Sequence, residues 1–136
     1  MTLCDTGPMV ALIDGGDRDY ARCLMALEGL GREQLVTTWP CLTEGMYLLG
    51  RNAGPTAQDE LWGYLADGLI RLDLPAPGEW ARMRALMVQY ADAPMDLADA
   101  SLVVAAERLG VRRVFTLDRH FHAYRADGTE PFEIVP

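Results

Sequence analysis

The sequence predicts an α/β fold, a parallel sheet of about five strands with helices on both faces. Short apolar runs of strand length alternate with longer helix-length runs along the whole chain. The strand candidates, such as Leu35-Val36-Thr37-Thr38, are rich in β-branched residues and bounded by turn formers. One run, Leu97-Ala98 through Ala105-Ala106, is so uniformly apolar that only a buried helix would tolerate it. There is no repeat, low-complexity tract or dividing linker, so residues 1–136 read as one domain.

Taken in order, Thr2-Leu3-Cys4 is a buried first strand ending at the turn Asp5-Thr6-Gly7-Pro8, with a short helix from Pro8 to Ile13. Asp17 is placed to cap a second helix, in which Tyr20, Cys23, Leu24 and Leu27 recur at helical spacing. Gln34–Thr38 is the second strand. Pro40 stands in the first turn of the next helix, which runs to Leu49 and carries Glu44 on about its second turn. Residues 50–54 are a loop, Pro55–Asp67 a fourth helix, and Leu69–Leu72 a third strand. After a Pro-rich connector, Trp80, Met83, Leu86, Met87 and Tyr90 form one apolar stripe, which reads as core-facing. Pro94 blocks helix continuation. Asp96 then takes the N-cap position and Asp99 the capping-box position of the apolar helix ending near Gly110. Arg113–Thr116 is a fourth strand, residues 119–125 a loop or single turn, and Phe132–Val135 the last strand.

Composition narrows the chemistry. The net charge is -8, and all 12 bases are arginine. Without lysine there is no Walker A loop, nor the lysine of phosphate-receiver or haloacid-type phosphatase sites. An acidic chain is a poor general binder of nucleic acid, so phosphate chemistry here should run through metal cations and local arginines. Arg112, Arg113, Arg119 and Arg125 are the candidates for phosphate contact. Cys4, Cys23 and Cys41 are odd in number and lack CxxC spacing, which suggests reduced core residues. No apolar run approaches membrane-span length and no signal peptide precedes Asp5, so the chain reads as cytoplasmic with no membrane partner.

Parallel α/β sheets place their sites beyond the carboxyl ends of the strands. Asp5 ends the first strand and Asp118 lies just past the fourth. The helix bearing Glu44 starts at that rim, and the helix bearing Asp96 and Asp99 must begin there as well. Four segments thus deliver Asp5, Glu44, Asp96, Asp99 and Asp118 to one edge. Each acid has an ordinary reading beside this one: turn former, solvated helix acid, or cap. Together they would repel one another unless divalent cations resolved the conflict. Oxygen-only ligands suit Mg²⁺ or Mn²⁺ better than zinc. The chemistry that follows is metal-assisted phosphodiester hydrolysis. It needs neither His120 nor His122, which read as surface residues flanking a core Phe121.

Leu3-Cys4-Asp5-Thr6-Gly7-Pro8-Met9-Val10-Ala11-Leu12 resembles the opening of PIN-domain nucleases. So do Thr43-Glu44, Asp96-Leu97-Ala98-Asp99-Ala100-Ser101-Leu102 and Thr116-Leu117-Asp118-Arg119-His120-Phe121, in the matching order. A lone domain of this length is similar to the VapC-type toxins of bacterial toxin–antitoxin pairs. The resemblance implies a three-layer α/β/α sandwich with strand order 3-2-1-4-5. It also implies a homodimer, Mg²⁺- or Mn²⁺-dependent endoribonuclease activity, an RNA substrate and a cognate VapB-like antitoxin. Carried over by motif, Asp5, Glu44, Asp99 and Asp118 are the catalytic acids, and the same four with Asp96 are the metal set. Thr6 and Thr116 fall where a hydroxyl near the metal is common. His120 stands where relatives often have an acid. A non-catalytic PIN-like scaffold, or a PIN nuclease of RNA processing outside a toxin system, are the alternatives.

Overall fold

The computed structural model describes residues 1–136, and the expected alternation is present. Seven strands are β1 Thr2–Cys4, β2 Leu35–Thr38, β3 Ile70–Asp73, β4 Arg113–Phe115, β5 Arg125–Ala126, β6 Glu130–Pro131 and β7 Glu133–Val135. Six helices are α1 Thr6–Ile13, α2 Tyr20–Leu30, α3 Trp39–Asn52, α4 Pro55–Ala66, α5 Trp80–Gln89 and α6 Leu97–Leu109. The main sheet is parallel throughout, in the order β3-β2-β1-β4-β7. Taking β7 as the fifth main strand, this is the expected order, in an α/β/α sandwich of the PIN type.

Burial explains the arrangement. Leu3, Cys4, Val36, Val114 and Phe115 have no solvent exposure, as strands covered on both faces require. Helices α1 to α4 pack on one another, and α5 packs on α6. Helix α3 also meets α6, bringing the Glu44 and Asp99 elements side by side. From Ala98 to Ala106 every residue of α6 is buried. Its small alanines allow close approach on several sides, and burial of this run is the main hydrophobic contribution of that half of the core. All three cysteines are free and buried, as their spacing suggested.

Several boundaries differ for local reasons. Helix α1 begins at Thr6, before Pro8, because the Asp5 carboxylate accepts from the Thr6 N–H at 2.7 Å and caps it. Asp17 does not cap α2. It closes a tight turn by accepting from the Asp19 N–H at 2.8 Å, and the helix starts at Tyr20. Helix α3 runs through Gly50 to Asn52, since one glycine costs less than ending a packed helix early. The short antiparallel hairpin β5–β6 falls in a stretch with no periodic signal, so its sequence does not announce it. The α5 stripe is only partly core. Leu86 is fully buried, while Trp80 is 69% exposed and Met87 and Val88 also face out.

Candidate metal-dependent nuclease centre

The register of the sheet builds the site. Cys4 pairs with Phe115, and the ladder continues one step further as the Asp5 N–H donates to the Phe115 carbonyl at 2.9 Å. Asp5 and Thr116 therefore leave adjacent strand ends together. The Thr116 hydroxyl donates to Asp5 Oδ2 at 2.7 Å and accepts from the Asp118 N–H at 3.0 Å, tying two of the acids through one side chain. Gly7 allows the next contact. A Cβ there would lie 3.3 Å from the Leu117 side chain, so the absence of one lets the segment after β4 lie close on α1.

Glu44 arrives from α3, which starts immediately after β2 at the same rim. The Thr6 hydroxyl lies 3.1 Å from Glu44 Oε2 and 3.0 Å from the Cys41 carbonyl, either of which it can donate to. Asp96 and Asp99 form the reciprocal capping box. The Asp99 N–H donates to Asp96 Oδ1 at 2.8 Å, and the Asp96 N–H to Asp99 Oδ2 at 3.2 Å. One cleft of about 260 Å³ is lined by Asp5, Thr6, Glu44, Asp96, Asp99 and Asp118. All five expected acids meet there, and none is left elsewhere on the molecule.

Their environments differ. Asp5 and Asp99 are buried, Asp118 is half-buried, and Glu44 and Asp96 are exposed. Burial pushes the Asp5 carboxyl up to about 6, against the downward pull of its Thr116 and Thr6 hydrogen bonds. Burial, and then the neighbouring Asp96 charge, push Asp99 up to about 7.

The donor set consists of carboxylates and hydroxyls, with no imidazole or thiolate free to ligate. It fits a hard ion such as Mg²⁺ or Mn²⁺. No three acidic, His or Cys side chains close into a ready-made cage. A structural zinc would need such a closed cage, whereas Mg²⁺ usually keeps several of its waters.

Three side chains at this site escape sequence reasoning as contacts of the acids. The Tyr124 hydroxyl lies 3.2 Å from both Asp99 Oδ2 and the Pro94 carbonyl, either of which it can donate to, on a fully buried ring packed edge-on against Tyr90 and Phe121. The Cys41 thiol lies 3.8 Å from Asp5 Oδ1, and burial raises its pKa so that it stays a neutral donor. His120, which the sequence presents as a bystander, holds Asp118 Oδ1 through Nδ1 at 2.7 Å while its own backbone N–H caps the same oxygen at 2.9 Å. Only His120 has a local cue, its two-residue distance from Asp118. His122 is exposed, and Phe121 is core as expected.

No protein-family model matches the chain. Along 135 residues it is 29% identical to Ribonuclease VapC26 of Mycobacterium tuberculosis, covering 98% of this chain and 99% of that protein. The crystal structure of Mycobacterium tuberculosis VapC20, described as a toxin that cleaves the sarcin–ricin loop, superposes with a TM-score of 0.84. That match covers 96% of this chain and all of the other at 18% identity, so it speaks to the fold. Likeness along the full length, the sheet order and the acidic rim agree: the chain has a PIN-like α/β fold and is similar from end to end to a ribonuclease of the VapC kind.

Proposed function

We propose that this protein is a Mg²⁺- or Mn²⁺-dependent endoribonuclease, the toxin of a VapBC-type toxin–antitoxin pair. The observation that carries this reading is the convergence of Asp5, Glu44, Asp96, Asp99 and Asp118 in one cleft, with two of them held near neutral pKa by burial. Full-length likeness to a ribonuclease named VapC26 supports the substrate class and the antitoxin partner.

In this mechanism Asp5, Glu44, Asp99 and Asp118 would hold one or two divalent cations, directly or through the ions' waters, and Asp96 would assist from the mouth of α6. When bound, the ion lowers the pKa of a water and neutralises charge on the phosphodiester. The chain's own groups keep the carboxylates aimed. Thr116 fixes Asp5, the hydroxyls of Thr6 and Tyr124 stand within reach of Glu44 and Asp99, and His120 holds Asp118. Burial raises the pKa of Asp5 and Asp99, so a cation bound here would favour their ionised forms over the protonated ones.

An exposed apolar face formed by Trp39, Trp80, Met87, Val88 and Leu97 supports the homodimer reading. The test is direct. Purified protein should cut structured RNA with Mg²⁺ or Mn²⁺, and EDTA should stop it. Replacing Asp5 by Asn should lower the rate at least about a hundredfold, the scale expected when a charged metal ligand is removed. Undiminished cleavage by that variant would refute the assignment.

A further inference from the structure

RNA must approach this site against a net charge of -8, so the cations near the cleft matter more than their number suggests. Most of the candidate phosphate-binding arginines are already occupied. Arg112 is shared between Asp127 and Glu130 and also donates to two carbonyls. Arg113 is held by Glu33 and Glu133. Arg125 donates to the carbonyls of His122 and Tyr124, both at 2.8 Å. Away from these, Arg108 is neutralised by Asp73 and Glu79, and Arg82 by Glu107.

Two arginines beside the site are not occupied. Arg22, on the first turn of α2, and Arg119, in the 3₁₀ turn after β4, are exposed and make no ion pair. Far apart in sequence, they line one small cleft of about 150 Å³ together with His122. Leu117 and Asp118 line both this cleft and the acidic one, so the two are continuous across that dipeptide. The acidic side can hold cations; the basic side offers two unspent guanidinium forks and an imidazole.

We propose that Arg22 and Arg119 form a phosphate-binding arm. They hold the RNA backbone phosphate that neighbours the one entering the acidic cleft, and so set the register of the strand over the acids. This rests on the ribonuclease reading. The chemistry is suitable, because guanidinium forks pair bidentately with phosphate oxygens, and exposed arginines stay charged at little cost. Neither residue touches the acids, so each acts on binding and positioning.

The test uses an Asp5→Asn protein with Mg²⁺ and a fluorescent RNA hairpin with a single-stranded loop, read by anisotropy over a range of salt. Adding R22A and R119A together should weaken binding about tenfold or more. It should also flatten the plot of log affinity against log salt by about 0.7 for each phosphate that the protein no longer neutralises. The R22K/R119K pair should keep most of the slope. Arg32→Ala, in the exposed turn entering the opposite rim at β2, should change nothing. In the chain with Asp5 intact, R22A/R119A should raise KM and spread cleavage over neighbouring phosphodiesters, whereas unshifted cleavage sites would reduce the arm to a binding contact.

The outcomes separate the two ideas. If the arginine variants bind like their parent while metal-dependent cutting persists, the arm is wrong and the nuclease reading stands. If binding depends on the arginines but the intact chain never cuts RNA, the arm stands and the nuclease reading fails. A parent protein that binds no RNA overturns both.

Discussion

At the scale of single residues, the site is a set of carboxylates each oriented by the chain through at least one oxygen, while Glu44, Asp96, Asp99 and Asp118 each keep one oxygen free. Asp99 Oδ2 lies 3.2 Å from the Tyr124 hydroxyl and accepts from the Asp96 N–H. Groups that orient a metal ligand typically contribute about 10- to 100-fold in affinity. Tyr124→Phe should therefore raise the Mg²⁺ concentration needed for half-maximal cleavage by roughly tenfold. The ring's packing is kept, so the fold should remain intact. A Mg²⁺ titration of initial rates checks this, and an unchanged midpoint would reduce Tyr124 to a packing residue. Such contacts are illegible in the sequence. Tyr124 meets Asp99 across 25 residues and Cys41 meets Asp5 across 36, with no periodicity linking them. Thr116 is easier to anticipate, because neighbouring strand ends in a parallel sheet share a rim. The arginines are hardest, since nothing in the spacing of Arg112 and Arg113 shows that acids from distant segments neutralise them.

At the scale of elements, the start of α6 is almost wholly legible. Pro94, then Asp96 and Asp99 before an apolar run, specify both the helix start and the reciprocal cap that the structure contains. The same motif hides a conflict, for Asp96 serves the helix and the cleft at once. Asp96→Ala should destabilise the protein by about 1 kcal/mol, the usual cost of losing a capping side chain. Asp96→Ser keeps a capping oxygen but removes the charge. It should leave the thermal midpoint near that of the unaltered chain while still weakening Mg²⁺ binding. If Ser and Ala weaken Mg²⁺ equally but differ in stability, the two roles are separable. If Ser binds Mg²⁺ as the parent does, Asp96 is a cap alone. Helix α5 shows the opposite case. Its apolar stripe is real, yet only Leu86 is fully buried by this chain and Trp80 is left outside. Amphipathic spacing reports that a face is apolar and is silent on what covers it.

At the scale of the whole molecule, the acidic cleft should govern how stability varies with pH. Asp5 and Asp99 are raised to about 6 and about 7, above the ordinary value of 3.8. A carboxylate with a raised folded-state pKa stabilises most below its unfolded pKa, and that stability is lost as pH climbs through the folded value. For Asp5 alone the loss is about 3 kcal/mol. Glu107 works the other way. Burial pulls its pKa up, but hydrogen bonds from Arg82 and the Asp127 N–H outweigh burial and leave it lowered, so its contribution is lost as the solution turns acid. The metal-free protein should therefore be most stable near about pH 4, where Glu107 is ionised and Asp5 and Asp99 are still protonated, weaken as pH rises to about 7, and level off beyond it. Millimolar Mg²⁺ favours the ionised carboxylates and should recover little at the lower pH and most at the higher. Thermal midpoints in EDTA and in Mg²⁺ across this range measure the effect. Asn at Asp5 removes one titrating group, so it should flatten the EDTA curve and shrink the Mg²⁺ gain together. A midpoint in EDTA that rises from about pH 5 to about pH 8 would mean that Asp5 and Asp99 ionise without penalty, and the cleft would then have no electrostatic demand for a cation.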